Sequence, residues 1–209
     1  VVPNRLSQQD VVWANEALKN RQTSIVHQQC VRVGYLSGTP SHNKDFATIT
    51  DALCRLFDQY PDMKLVLAGP LDAEDRLMRY ADRIERVHFV PRSELFELIA
   101  SLDINLAPLE IGNPFCESKS ELKWFEAGIV SVPTIASATQ TFREAITDGV
   151  DGYVAMTEAE WQEKLEHLIT DSQARHAMGA RAREAVLARY TTEATDSAYV
   201  EYLHRILQK

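Results

Sequence analysis

Ile104-Asn105-Leu106-Ala107-Pro108-Leu109, a helical run over Lys119–Ile129, and Val132-Pro133-Thr134-Ile135-Ala136-Ser137 follow one another along the chain. Both flanking runs are short and apolar on both faces, the composition of a parallel strand covered from above and below. The alternation continues outward. Upstream, strands are expected at Val31–Leu36, Lys64–Ala68 and Val87–Val90, with helices at Asp45–Gln59, Asp75–Ile84 and Ser93–Leu102. Downstream come a short helix at Phe142–Thr147, a strand at Gly152–Met156 and three closing helices, Glu158–Thr170, Ala174–Arg189 and Glu193–Leu207. A leading helix at Gln8–Lys19 and a polar connector at Asn20–Gln29 precede them all. The expected architecture is α/β: a single doubly wound domain of about six parallel strands over residues 30–209 with C-terminal helices, preceded by a leading segment over residues 1–29. Such sheets bind ligands beyond the carboxyl ends of their strands, which selects the loops after Leu36, Ala68, Val90, Leu109 and Ser137.

Composition bounds the function. The chain has 209 residues, 45% hydrophobic and 25% charged, with eight glycines and eight prolines. That excludes disordered, collagen-like and low-complexity chains, and the length suffices for a full core. No apolar run approaches the roughly 20 residues of a membrane helix, and no secretory leader is read. A start at Val1-Val2-Pro3-Asn4, without methionine, is expected of an excised or processed piece of a longer chain. Thirty Asp and Glu against 22 Lys and Arg give a charge of −8, with no basic block. Nucleic acid is therefore not an expected partner, whereas one locally basic pocket can still hold a small anion. Cys30, Cys54 and Cys116 are odd in number and lack C-x-x-C spacing, which excludes a disulfide framework and the usual structural zinc sites and fits a reducing cytosol. Cys54 reads as core, and Cys116 has no base nearby in sequence to make it a nucleophile.

The loop after the first strand reads Ser37-Gly38-Thr39-Pro40-Ser41-His42-Asn43-Lys44-Asp45. A glycine-bearing loop that feeds a helix N-terminus and carries a lysine can cradle phosphate through backbone N–H groups and the helix dipole. The spacing from Gly38 to Lys44 approaches a P-loop and misses it twice: Asn43 replaces the second glycine, and Asp45 stands where a magnesium-binding hydroxyl belongs. G-x-G-x-x-G is absent too, so neither that kind of nucleotide hydrolase nor a dinucleotide oxidoreductase is supported. The plain alternative is a solvated Lys44 beside a helix capped by Asn43 or Asp45. A receiver domain needs carboxylates at the ends of its first and third strands, and Leu36-Ser37-Gly38 and Val90-Pro91 supply none.

The richest stretch is Asn113-Pro114-Phe115-Cys116-Glu117-Ser118-Lys119-Ser120-Glu121-Leu122-Lys123-Trp124-Phe125-Glu126-Ala127-Gly128. Ser118 with Glu121 three residues later reads as a capping box, which predicts a helix beginning at Lys119. At about 100° per residue, Leu122, Phe125 and Ile129 then share one apolar stripe, and Lys119, Lys123 and Glu126 share another. Lysines near a crevice suit phosphates, and a carboxylate suits paired hydroxyls such as those of a ribose or sugar. The competing explanation is Lys–Glu pairing on a wet helix surface, worth about 0.3–0.5 kcal/mol per pair. Position favours binding, because the helix follows a strand ending Ala107-Pro108-Leu109 and precedes another.

Glu126-Ala127-Gly128-Ile129-Val130-Ser131-Val132-Pro133-Thr134-Ile135-Ala136-Ser137 resembles the E-A-x-x-x-G-x-P-V-I-A-S segment of family 4 (group 1) glycosyltransferases. Phe142-Arg143-Glu144-Ala145-Ile146 with Asp148-Gly149-Val150-Asp151-Gly152 looks like that family's E-x-I-x-D-G-x-x-G run. Leu65–Gly69 and Val87–Val90 match its V-L-x-G and V-x-F strands, and Val1-Val2-Pro3-Asn4 looks like its interdomain junction. The resemblance covers almost the whole chain. It implies the Rossmann-like, nucleotide-sugar-binding C-terminal half of a two-domain GT-B enzyme. In that family the first loop and its lysine hold the donor diphosphate, which points to Gly38, Thr39 and Lys44, with His42 in reach of a phosphate. A late-helix Glu bonds the ribose hydroxyls, which points to Glu126; the start of that helix meets donor sugar and phosphate, which points to Ser118, Lys119 and Ser120, with Lys123 a further cation. Lys44 and Lys119 would steady the departing nucleoside diphosphate, and no certain catalytic residue falls within the chain.

The resemblance further implies transfer of a sugar from a nucleoside-diphosphate sugar to a glycan or other acceptor, with retention of configuration, in bacterial polysaccharide biosynthesis. No D-x-D is present, so metal-independent chemistry is expected, with the nucleotide sugar as substrate and no other cofactor. The acceptor site would lie in a missing N-terminal domain, leaving this piece a weak donor binder without transfer activity. A cytoplasmic location follows, peripheral to the inner membrane through the missing part. Two departures stand out. The family's second Glu, eight positions before the first, is Ser118 here, with Glu117 one place off; and Lys119-Ser120-Glu121 replaces Gly-Phe-Gly, in an N-x(5)-K-S-x-x-K-x-x-E arrangement. The first loop's usual Gly-Arg is Gly38-Thr39, so a phosphate cation would come from Lys119 or Lys123 instead. A rival reading, favoured by the altered carboxylate pair and opposed by Lys44 and Glu126, is a Rossmann-like module that has lost donor binding and serves assembly.

Overall fold

The computed structural model describes residues 4–23, 30–39, 43–71, 75–194 and 204–207. His42, residues 1–3 at the expected junction, residues 24–29 of the expected connector, and residues 195–203 of the expected last helix lie outside them. Six strands form one sheet: β1 (Arg32–Leu36), β2 (Lys64–Ala68), β3 (Ile84–Val87), β4 (Ile104–Ala107), β5 (Thr134–Ser137) and β6 (Tyr153–Ala155). All pairings are parallel, in the order β3-β2-β1-β4-β5-β6. This is the doubly wound α/β architecture expected from the alternating apolar runs. The order reverses between β1 and β4, so connections diverge there and leave a crevice at the carboxyl ends of the strands.

Successive strand residues face opposite layers, and both layers are apolar. Leu65, Leu67, Ile104, Leu106 and Ile135 pack under α3 (Thr50–Gln59) and α8 (Glu158–Thr170). Val66, Ala107 and Ala136 face the other side, with α1 (Gln8–Thr23), α4 (Arg92–Ala100) and α6 (Leu122–Gly128). The last long helix, α9 (Ser172–Arg189), gives Met178 to the first layer and Val186 to the second. The leading helix is part of this body: Ala14 and Ala17 of α1 are buried in the same cluster as Phe96 of α4. Leu6 also pairs with the end of α9, donating its N–H to the Tyr190 carbonyl at 2.7 Å.

Four expectations shift, each for a local reason. The helix expected at Asp45–Gln59 breaks into α2 (Asn43–Ala47) and α3. The Thr48 hydroxyl donates to the Asp45 carbonyl at 2.6 Å, and Ile49 N–H turns to Phe46 instead, so a local hydroxyl takes the acceptor that helix continuation needs. The third strand sits at Ile84–Val87 rather than Val87–Val90, because an edge strand tolerates the exposed Glu85 and Arg86 that mask it in an apolarity scan. The helix expected at Asp75–Ile84 is a 3-10 segment, Asp75–Arg83, interrupted at Tyr80. The capping box at Ser118 does not form. Asn113 caps α5 (Pro114–Glu117), accepting from Phe115 N–H at 3.0 Å, and Ser118 closes that short helix instead of opening the next.

At the crevice, the ends of β1, β2 and β3 are stitched by Ser37 N–H to Ala68 O (2.9 Å) and Gly69 N–H to Val87 O (3.0 Å). Gly69 adopts φ 82°, and a Cβ there would stand 1.9 Å from the Ser37 carbonyl oxygen. Only glycine meets both demands. Gly69→Ala is expected to lower the unfolding free energy by about 2 kcal/mol or more. Gly38→Ala, whose added methyl meets nothing within 4 Å, should change it by less than about 0.5 kcal/mol. Urea titration of both variants checks this; equal effects would contradict it.

Candidate functional site

The site is built from the floor upward. Asn105, buried on β4, donates its side-chain amide to Thr134 Oγ1 on β5 (3.0 Å) and to the Lys123 carbonyl (3.1 Å). Trp124 Nε1 donates to the Asp151 carbonyl at 2.9 Å, and the Trp124 and Phe125 rings both pack on Tyr190, with centroids 5.5 and 5.0 Å away. These contacts fix α6 over the switch point, with Lys123 and Glu126 directed into a crevice of about 690 Å³. Gly38, Thr39, Lys119, Ser120, Lys123 and Glu126 all line it, together with apolar walls such as Leu36, Phe89 and Leu109. Lys119 reaches the crevice from the loop before α6 rather than from the helix itself.

Lys44 and Ser118 are not brought in. Lys44 is exposed on α2, outside the crevice lining. The Ser118 hydroxyl donates to the Phe115 carbonyl at 2.8 Å. Glu117 clamps two neighbouring segments: its carboxylate accepts from Gly112 N–H at 3.0 Å and from Gln140 N–H, at the start of α7 (Gln140–Ala145), at 3.2 Å. Those two backbone donors hold its pKa below the ordinary value.

Charges in the crevice are paired. Asp45, 1% exposed, accepts the Lys119 ammonium on Oδ2 (2.7 Å) and receives Glu110 N–H (3.2 Å) and the Cys116 thiol (3.1 Å) on Oδ1. Asp45, Glu110 and Cys116 bring one ligand-type atom each within 4.8 Å of one another, and the cation standing on this group is Lys119. Burial and then the Asp45 hydrogen bond push the Cys116 thiol above its usual pKa, away from nucleophilic character. Lys123 lies partly in the crevice, its ammonium bonded to the Leu36 carbonyl and 5.0 Å from the Tyr35 ring centroid. Burial lowers its pKa to about 8, against the raising influence of Glu126. Glu126, 7% exposed, is held by Arg92, whose Nη1 stands 2.7 Å from Oε1. Burial raises the Glu126 pKa by more than Arg92 lowers it.

Arg92, Asp45 and Asn105 were missed in the sequence. The loop after the third strand was selected, yet Arg92 carries no motif; a lone arginine after Pro91 looks like any solvated first-turn residue. Asp45, which stands where a P-loop would have its magnesium-binding hydroxyl, turns its side chain inward and neutralises Lys119.

The profile of a family described as glycosyl transferase-like matches residues 48–199. A search of curated proteins finds no match. Among solved structures, the C-terminal domain of the group 1 glycosyl transferase LpcC from Francisella tularensis superposes with a TM-score of 0.58 at 20% identity, over 83% of this chain and 94% of that one. Anabaena HepE in complex with UDP and glucose gives a TM-score of 0.67 at 19% identity over 95% of this chain. Sucrose-phosphate synthase from Thermosynechococcus elongatus gives 0.72 at 19% identity over 99%. The chain spans 53% of the Anabaena protein and 52% of the synthase.

The depressed Lys123 has a measurable signature. Unfolding restores its ordinary pKa of 10.5, so between about pH 8 and that value the unfolded chain binds the extra proton and stability contributed here rises with pH. Below that window the burial penalty is fully present. Wild-type protein is therefore expected to gain about 2 kcal/mol relative to Lys123→Met between about pH 7.5 and 10. Urea unfolding at several pH values checks this, and a constant difference would count against it.

Proposed function

This chain belongs to the glycosyl transferase-like family, and from that premise we propose that its crevice binds a nucleoside-diphosphate sugar as donor for transfer to a glycan or other acceptor. The carrying observation is the convergence of Lys119, Lys123 and the buried Glu126 beside the Ser37–Thr39 loop at the topological switch point. Ammonium groups meet the diphosphate; a carboxylate with one oxygen bonded to Arg92 accepts from ribose hydroxyls with the other; the apolar wall suits the face of a base. As the sugar–phosphate bond breaks, negative charge gathers on the departing diphosphate, and Lys119 and Lys123, the two lysines that line the crevice, stabilise it without a metal. Anabaena HepE was solved with UDP and with glucose, which makes UDP the first nucleotide to try.

The further reading is retention of configuration, a place in bacterial polysaccharide assembly, cytoplasmic chemistry near the inner membrane, and an acceptor site supplied by another domain, so that residues 1–209 alone bind donor and transfer nothing. Among the described residues no helix is long and apolar enough to cross a membrane. A second reading, a module retired from donor binding and kept for assembly, has one observation in its favour: Lys119 is bonded to Asp45 and Lys123 to the Leu36 carbonyl, so neither cation depends on a ligand for a partner.

Calorimetric titration with UDP, GDP and dTDP separates the two. Saturable binding of one nucleotide is expected, weakened about tenfold or more by Lys119→Ala and by Glu126→Ala, since hydrogen bonds to charged groups contribute about 1.5–3 kcal/mol. Full-length protein that binds none of the three would overturn the donor reading and leave the module.

A further inference from the structure

Arg92 joins two carboxylates from distant parts of the chain. Its Nη1 lies 2.7 Å from Glu126 Oε1 and its Nε 2.7 Å from Asp10 Oδ1. The second Asp10 oxygen is committed as well, accepting from Ser7 N–H and Ser7 Oγ–H, both at 2.8 Å, while Asp10 N–H donates back to Ser7 Oγ at 3.1 Å. That reciprocal pair is a capping box at the start of α1, and it leaves Asp10 no freedom to turn away from Arg92. The guanidinium is seated over the Phe96 ring, 5.6 Å from its centroid. Among the described residues, the Glu126 carboxylate accepts no hydrogen bond other than the one from Arg92.

We propose that Arg92 is a positioning residue for Glu126, fixed in that role by Asp10, so that the leading helix α1 is coupled to the ribose-binding carboxylate. The inference rests on the donor-site reading above. A buried carboxylate without a cationic partner protonates or rotates toward water, and either change removes the acceptor that two neighbouring ribose hydroxyls require. Arg92 prevents both by occupying one oxygen and leaving the other for the ligand. Asp10 in turn prevents Arg92 from swinging into the crevice, where its charge would meet the diphosphate instead. The sign of the selection is thus set by a chain of three side chains that begins outside the crevice.

The test compares ribose recognition with overall binding in the full-length protein, using UDP and 2′-deoxy-UDP, and GDP and 2′-deoxy-GDP, in calorimetric titrations. The variants are Glu126→Gln, Arg92→Met, Arg92→Lys and the near-isosteric Asp10→Asn, each titrated well below its own melting midpoint. Wild-type protein is expected to prefer one ribonucleotide over its 2′-deoxy form by about tenfold or more. Glu126→Gln, Arg92→Met and Asp10→Asn should bring that ratio to within about twofold while changing affinity for the deoxy form little. Arg92→Lys should recover part of the ratio. If Glu126→Gln loses the ratio while Arg92→Met and Asp10→Asn keep it, the positioning inference falls and the donor site stands. Equal losses for ribose and deoxyribose forms in Arg92→Met also overturn it, because Arg92 would then touch the ligand directly. A wild-type protein that prefers neither ribonucleotide, or a Glu126→Gln variant that keeps the preference, overturns the ribose reading together with the inference.

Discussion

A parallel sheet covered on both faces leaves its strands nowhere to place polar chemistry except their ends, and that constraint organises this molecule. The strand interiors are occupied by leucine, isoleucine, valine and alanine facing two apolar layers. Asn105 on β4 and Thr134 on β5 are buried polar residues inside the sheet, and the Asn105 amide donates to Thr134 and to the Lys123 carbonyl, which turns a buried polar group into the anchor of α6. The reversal of strand order between β1 and β4 then chooses where the ends part. Crevice, lysines and carboxylate follow from that one geometric fact.

Within the crevice, charge is balanced locally. Lys119 faces Asp45, Lys123 faces a carbonyl and a ring, and Glu126 faces Arg92, itself held by Asp10. Burial makes each arrangement sensitive to loss of one member, since an uncompensated buried charge costs more than the pair contributes. The opposed pKa directions of Lys123 and Glu126 express the same thing: both are drawn toward their neutral forms by desolvation, and each is partly restored by the opposite charge of the other. A ligand with both phosphates and hydroxyls would address these two groups in complementary ways.

The sheet was legible because buried parallel strands are written in continuous apolar runs, and five of the six expected strands lie within a residue or two of the observed ones. The third was misplaced because β3 is an edge strand, where Glu85 and Arg86 are tolerated and Phe89 beyond it is left exposed on the crevice wall. Helix starts were harder. Ser118 and Glu121 satisfy a capping pattern, yet Asn113 followed by Pro114 caps first and shifts the turn. Lys119, Lys123 and Glu126 could be grouped from helical spacing alone, and they do line one crevice although Lys119 precedes the helix. Arg92 and Asp10 escaped because their meeting is a tertiary event: 82 residues separate them, and no periodicity reports on it.

Asp45 gives the crevice a further property. A cluster of bare lysines in a pocket would hold any stray phosphate that diffused past, and would spend much of its time occupied by the wrong anion. Here the anion is built in, one residue beyond the lysine of the first loop, and Lys119 already leans on it. An arriving ligand must offer Lys119 more than Asp45 does, and on the proposed donor reading inorganic phosphate lacks the ribose and base that would engage Glu126 and the apolar wall. The same carboxylate that spoils the resemblance to a P-loop thus works as a threshold, trading affinity for anions in general against discrimination in favour of a ligand that engages the whole crevice.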